Sequence, residues 1–137
     1  MVFESNDALY NAMEMMAEKV RNDQPLFKKL VSTNIVCQMK FTNLDSASVT
    51  ARAKDNELDF EFGESSIKPD ATVSGTDDVF VKFWQGKVNL TMAMAKGQIK
   101  LGGAVASIMK LVPRLKGCYP KWIEVLEEIG RSDLIVK

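Results

Sequence analysis

Histidine is missing from all 137 residues. That absence removes Ser-His-Asp and Cys-His catalysis, histidine ligation of metal and the usual proton shuttle near neutral pH. Cysteine is scarce as well. Cys37 and Cys118 are too few and too far apart for a disulfide framework, so two reduced, inert thiols in a cytoplasmic setting are expected. No run of about 18 apolar residues occurs, so nothing reads as a bilayer span. The start, Met1-Val2-Phe3-Glu4, lacks the basic region and apolar core of a secretory signal, and the end, Leu134-Ile135-Val136-Lys137, is not a Ser-Lys-Leu type address. With 18 basic residues against 18 acidic ones, the chain also lacks the global field of a nucleic-acid binder, and nucleic acid is not an expected partner.

Acid is absent from one long stretch. From Lys82 to Lys121 there are eight Lys or Arg residues and no Asp or Glu. Residues 1–81 carry 8 basic and 14 acidic side chains, a net of −6, whereas residues 82–137 carry 10 and 4, a net of +6. The acid-free stretch is also greasy, with Phe83, Trp84, Leu90, Met92, Met94, Ile99, Leu101, Ile108, Met109, Leu111 and Leu115. Apolar and basic together suit a hydrophobic ligand with an anionic end, or an anionic membrane surface, better than a small polar metabolite.

The length fits one domain able to bury a core without disulfides or metal, and residues 1–137 are expected to form a single unit. Leu9, Met13, Met16, Ala17 and Val20 fall at helical spacing, so residues 6–22 read as an amphipathic helix capped by Ser5 or Asn6. Pro25 opens a second short helix. Alternation then places Ile35, Cys37, Met39 and Phe41 on one strand face, Val49, Ala51 and Ala53 on the next, and Leu58, Phe60 and Phe62 on a third. Lys54-Asp55-Asn56 is the tight turn joining the last two as antiparallel neighbours. Their opposite faces are polar, which implies a sheet with a single covered side.

Ala71 and Val73 give a short fourth strand. Thr76 is placed to cap a helix ended by Gly86, with Asp77 and Asp78 in the first turn, where the helix dipole accounts for paired acids better than acid–base chemistry does. A short helix over Leu90–Lys96 ends at Gly97, and a fifth strand puts Ile99 and Leu101 inward. Gly97 and Gly102 have the spacing that opens a phosphate loop, but Gly103-Ala104 replaces the Gly-Lys-Ser/Thr it needs. Val105, Ile108, Met109 and Val112 line one side of the next helix, which Pro113 ends or kinks. A last helix over about 119–131 buries Trp122, Val125, Leu126 and Ile129. The whole is an α+β arrangement, a five-stranded, mostly antiparallel sheet covered by helices.

The ordered series Pro69-Asp70-Ala71-Thr72-Val73, Asp77-Asp78-Val79-Phe80, Gly86-Lys87-Val88, Ala93-Met94-Ala95-Lys96-Gly97-Gln98-Ile99-Lys100-Leu101 and Gly103 resembles the central signature of the sterol carrier protein type 2 family. The likeness is dense over about 35 residues and extends in element order over residues 5–116. It implies a five-stranded sheet and helices enclosing an apolar tunnel for fatty acid, fatty acyl-CoA, sterol or similar lipid, with no reaction and no cofactor of its own. The polar residue common after the second glycine is Ala104 here, and the helix over 119–131 lies beyond the resemblance.

The expected lining is Phe80, Phe83, Trp84, Met92, Met94, Ile99, Leu101, Val105 and Met109; ordinary core packing accounts equally well for any one of them. Flexible, polarizable methionines suit walls that adapt to varied lipids. Lys110 and Arg114, within a basic group that includes Lys82, Lys87, Lys96, Lys100 and Lys116, are the expected contacts for an anionic headgroup or a transient anionic membrane contact. The first functional expectation is a non-catalytic intracellular carrier. The alternative is an accessory subunit that presents a lipid, such as an isoprenoid, to a partner enzyme. An enzyme built on Cys37 or the Asp77 and Asp78 pair is the weakest reading, since no histidine activates the thiol.

Overall fold

The computed structural model describes residues 2–136. In chain order it contains α1 (Asn6–Arg21), α2 (Gln24–Val31), β1 (Ile35–Phe41), β2 (Ala47–Lys54), β3 (Glu57–Phe62), β4 (Ala71–Gly75), α3 (Asp77–Phe83), α4 (Leu90–Ala95), β5 (Ile99–Gly103) and α5 (Val105–Leu111). A 3-10 helix (Val112–Cys118), α6 (Tyr119–Glu128) and a last 3-10 turn (Ser132–Leu134) follow.

The strands form one sheet in the order β3-β2-β1-β4-β5. Three neighbouring pairs are antiparallel, with Cys37 opposite Ala51, Ala51 opposite Phe60 and Val73 opposite Leu101. The central pair, β1 with β4, is parallel and sets Cys37 against Ala71. The hairpin between β2 and β3 turns on Asp55 (φ 51°) and Asn56 (φ 60°), the left-handed pair a type I′ turn needs. α1 starts where the Ser5 hydroxyl accepts from the Ala8 N–H at 3.1 Å, and α2 where the Asp23 carboxylate accepts from the Leu26 N–H at 3.3 Å.

The outer face of the sheet departs from the expectation of a bare polar side. Val36 and Thr50 alternate outward, yet they are buried, at 3% and 1% exposure. Topology supplies the reason. To pass from the edge strand β3 to β4, the segment between Phe62 and Ala71 must cross β2 and β1. It does so over the outer face: the Ser65 and Ser66 hydroxyls donate to the Glu61 carboxylate, and the Asp70 carboxylate accepts from the Val36 N–H at 2.9 Å.

The start of α3 is a second correction. Thr76 holds the N-cap position but its hydroxyl makes no capping bond. Asn43 takes over, its Oδ1 accepting from the Asp77 N–H at 2.9 Å. Asp77 stands in the first turn, with its side chain fully buried. Its Oδ2 accepts from the Val2 and Phe3 N–H groups at 2.9 Å each, and its Oδ1 from the Asn43 amide at 2.7 Å. Burial alone would raise this carboxyl, but the Asn43, Phe3 and Val2 donors outweigh it and hold the group below the usual aspartate range.

α6 lies along α1, burying Trp122, Val125 and Leu126. The Trp122 ring meets Phe3 at 6.5 Å between centroids, and Lys19 pairs with Glu128 at 3.1 Å. Beyond α6 the chain is tied to the end of α3. The buried Gln85 donates to the Leu134 carbonyl at 3.0 Å and accepts from the Val136 N–H at 2.8 Å. Ile129, expected in the core, is only partly buried.

Candidate functional site

Between the inner face of the sheet and the helices lies an apolar cavity of about 100 Å³. The sheet supplies Ile35, Cys37 and Met39 from β1, Ala51 and Ala53 from β2, Leu58 and Phe60 from β3, Val73 from β4 and Ile99 from β5. Strand alternation puts these on one face, and the small Ala51 and Ala53 leave the space that larger side chains would fill. The opposite wall comes from Met16 and Val20 of α1, Leu30 of α2, Phe80, Phe83 and Trp84 around the end of α3, and Leu90 of α4. Ile108, Leu111, Val112, Leu115 and Cys118 close it from α5 and the 3-10 helix.

No charged side chain lines the cavity. Both thiols are on the wall; burial raises Cys37 to about 11 and Cys118 to about 12, so both stay neutral near pH 7 and neither is an activated nucleophile. One wall residue carries a polar atom without a partner. The Trp84 indole Nε1 is buried and has no hydrogen-bond partner, on a residue only 7% exposed. Among the described residues, no group of three or more His, Cys, Asp or Glu side chains could hold a metal ion.

Of the residues the sequence assigns to the lining, Phe80, Phe83, Trp84 and Ile99 stand on the cavity wall. Met92, Met94 and Met109 do not; they are exposed to 55%, 37% and 42%. A helix advances about 100° per residue. With Leu90 and Ala93 taking the inner side of the six-residue α4, Met92 points nearly opposite and Met94 falls to the flank. On α5, Ile108 takes the inner position and Met109 lies a quarter turn away, while Leu111 and Val112 fill the place assigned to it. Leu101 and Val105 are also off the wall. Leu101 packs instead against the smaller cluster of Ile35, Ala71, Leu90, Ala93, Ile99 and Ile108, and Val105, at the first turn of α5, is only half-buried.

The strand residues of the wall carry a clear signal, the same period-two pattern that defines the inner face. Met16, Val20, Leu30, Leu90, Ile108 and Leu111 are missed helical members, with Val112, Leu115 and Cys118 of the 3-10 helix. The spacing of the first three marks them as inward but does not separate cavity wall from solid core.

Lys82, Lys87, Lys96, Lys100, Lys110, Arg114 and Lys116 are all exposed. Among the described residues none of the seven pairs with a carboxylate, and Arg114 donates to the Ser32 hydroxyl at 3.0 Å. Lys121, the last base of the acid-free stretch, pairs with Asp23 at 3.0 Å. No helix among the described residues is long and apolar enough to cross a membrane.

The sheet order and the helices over its inner face define an α+β fold class, and sequence comparison gives the family. Residues 13–116 match the SCP-2 sterol transfer family, and the chain belongs to it. The bovine (Bos taurus) hydroxysteroid dehydrogenase-like protein 2 is 31% identical over 80 residues, which cover 58% of this chain but only 19% of that protein. The solution structure of sterol carrier protein domain 2 of Helicoverpa armigera superposes with a TM-score of 0.62 at 22% identity, covering 80% of this chain and 88% of that one. A structure described as the UbiJ-SCP2 ubiquinone synthesis protein gives a TM-score of 0.53 at 18% identity, over 69% of this chain and 74% of that one. These likenesses establish the five-stranded α+β fold.

Proposed function

We propose that this chain is a non-catalytic carrier that holds a single lipid, a fatty acid, fatty acyl-CoA, sterol or similar molecule, between the sheet and the helices, and that it works in the cytoplasm as one unit. The observation that carries the reading is the cavity wall, drawn from every layer of the fold yet free of charged groups. Membership of a sterol transfer family supports it. An apolar chain gains about 0.8 kcal/mol per buried CH₂, so ten methylenes supply roughly 8 kcal/mol before ordering costs. No catalytic residue is needed, and the neutral buried thiols offer none.

Ligand pockets usually span about 300–1,000 Å³. At about 100 Å³ the cavity takes in a short apolar segment, so a full acyl chain or sterol requires the walls to part into a tunnel. The six-residue α4 and seven-residue α5 are the short elements of the wall and the natural ones to move. The exposed cations of the acid-free stretch, Lys110 and Arg114 among them, would then meet an anionic headgroup or lipid surface during exchange.

A second reading, presentation of a lipid such as an isoprenoid to a partner enzyme, is favoured by the structural likeness to the UbiJ-SCP2 ubiquinone synthesis protein and by the match to one part of a much longer dehydrogenase-like protein. Native mass spectrometry of gently purified protein, with extraction and identification of any bound lipid, tests the carrier reading. A lipid adduct at unit stoichiometry is expected; protein that takes up no lipid, even after incubation with vesicles, overturns it. Stable co-purification with one enzyme would move the function to the second reading.

A further inference from the structure

Three buried polar side-chain atoms lack a partner among the described residues: Thr50 Oγ1, Trp122 Nε1 and Trp84 Nε1. Thr50 lies on the outer side of the sheet and Trp122 in the packing of α6, and neither touches the cavity. Trp84 alone is part of the cavity wall. An indole N–H is a donor only, and leaving it buried and unpaired carries the full desolvation cost of the group. Its neighbour Phe83 lies with ring centroids 5.5 Å apart and planes at 82°, and offers no lone pair to accept the bond.

We propose that, once the walls part around a bound lipid, the Trp84 N–H, which is buried beside the closed cavity, receives a neutral oxygen acceptor of that lipid, an ester or ketone carbonyl or a hydroxyl, and so makes the site selective for neutral oxygenated lipids over bare hydrocarbon. The absence of charge on the wall sets the other half of the selectivity. An ionised carboxylate drawn in beside Trp84 would meet one hydrogen-bond donor and no cation, too little to offset its dehydration, so an anionic head stays outside. This inference rests on the carrier reading and assigns the ligand chemistry of the same site.

Methyl palmitate, palmitate and hexadecane are the probes, with affinities measured by calorimetry on the whole chain and on the Trp84→Phe variant. Phenylalanine keeps the ring and removes the donor. The variant should lose about tenfold in affinity for methyl palmitate, the size expected for one buried hydrogen bond, and stay within about twofold for hexadecane. Proton–nitrogen correlation spectra of the wild-type protein provide a readout that does not depend on the variant folding. The indole signal that disappears in Trp84→Phe, or by elimination the one not assigned to Trp122 through Trp122→Phe, should move downfield with methyl palmitate and not with hexadecane. Equal movement with both ligands, or an unshifted signal consistent with an N–H directed at Phe83, overturns the assignment while the carrier reading stands. Failure of all three probes to bind, together with no lipid taken up from vesicles by native mass spectrometry, defeats the carrier reading itself.

Discussion

Asn43 and Asp77 exchange two hydrogen bonds across 34 residues of chain: the Asp77 N–H donates to Asn43 Oδ1 at 2.9 Å, and the Asn43 amide returns a bond to Asp77 Oδ1 at 2.7 Å. The pair fastens the loop after β1 to the start of α3, and the remaining carboxylate oxygen binds the Val2 and Phe3 N–H groups. One buried carboxylate thus ties two separated segments, residues 2–3 and the loop after β1, to the helix that supplies Phe80, Phe83 and Trp84 to the cavity.

Removing that carboxylate strands two backbone donors, so Asp77→Ala should lower stability by about 3 kcal/mol in urea unfolding. The pH dependence has a defined sign. The folded-state pKa is depressed, so the stabilisation is fully present above the unfolded value of about 3.9 and is lost as pH falls through the lower folded value. Unfolding free energies measured from neutral pH down through that window should fall more steeply for the wild type than for Asp77→Asn. Parallel curves would show that the charge of Asp77 contributes nothing.

Gly86 has φ +76°, and a Cβ there would stand 2.8 Å from two carbons of the Tyr119 ring. The residue therefore needs both left-handed backbone and empty space, where α3 meets the start of α6. Gly86→Ala should cost about 1–3 kcal/mol from the backbone alone, with more from displacing the ring. A thermal melt within a degree of wild type would mean that the contact between α6 and α3 gives way freely.

The inner wall of the sheet was legible in the sequence because a strand has a period of two: Ile35, Cys37, Met39, Ala51, Phe60 and Val73 all fall where alternation puts them. The hairpin at Asp55 and Asn56 was legible for a local reason as well, the left-handed tolerance of those two residues. The parallel pairing of β1 with β4 and the crossing of the outer face are non-local, set by strand order, so Val36 and Thr50 read as surface. The exposed methionines failed for a different reason. A helix of six or seven residues presents fewer than two turns, and which of its several apolar residues turns inward is decided by the surface it packs on. Nothing in the spacing alone told Leu90 and Ala93 from Met92 and Met94.

Ala51 stands between Cys37 and Phe60 in the sheet and faces the cavity. Ala51→Phe would place a ring in an apolar space of about 100 Å³, so stability should change little or rise, because apolar contact is gained without displacing packed atoms. Lipid uptake measured by native mass spectrometry should be lost. Retained uptake in a folded variant would place the lipid elsewhere.

The cations make a separable contribution. Lys110 and Arg114 are exposed and unpaired with acid, and the acid-free stretch around them leaves the local field positive. Attraction between such groups and an anionic lipid surface is screened by salt, with a Debye length of about 8 Å at physiological ionic strength. The double variant Lys110→Glu, Arg114→Glu should therefore bind phosphatidylserine vesicles less well than wild type in a flotation assay at low salt, and the difference should shrink as salt rises. Binding of an uncharged sterol should be unchanged, because neither side chain touches the cavity. If wild type and variant bind anionic vesicles equally at low and at high salt, the basic stretch only balances the acidic half of the chain, and lipid exchange depends on the apolar cavity alone.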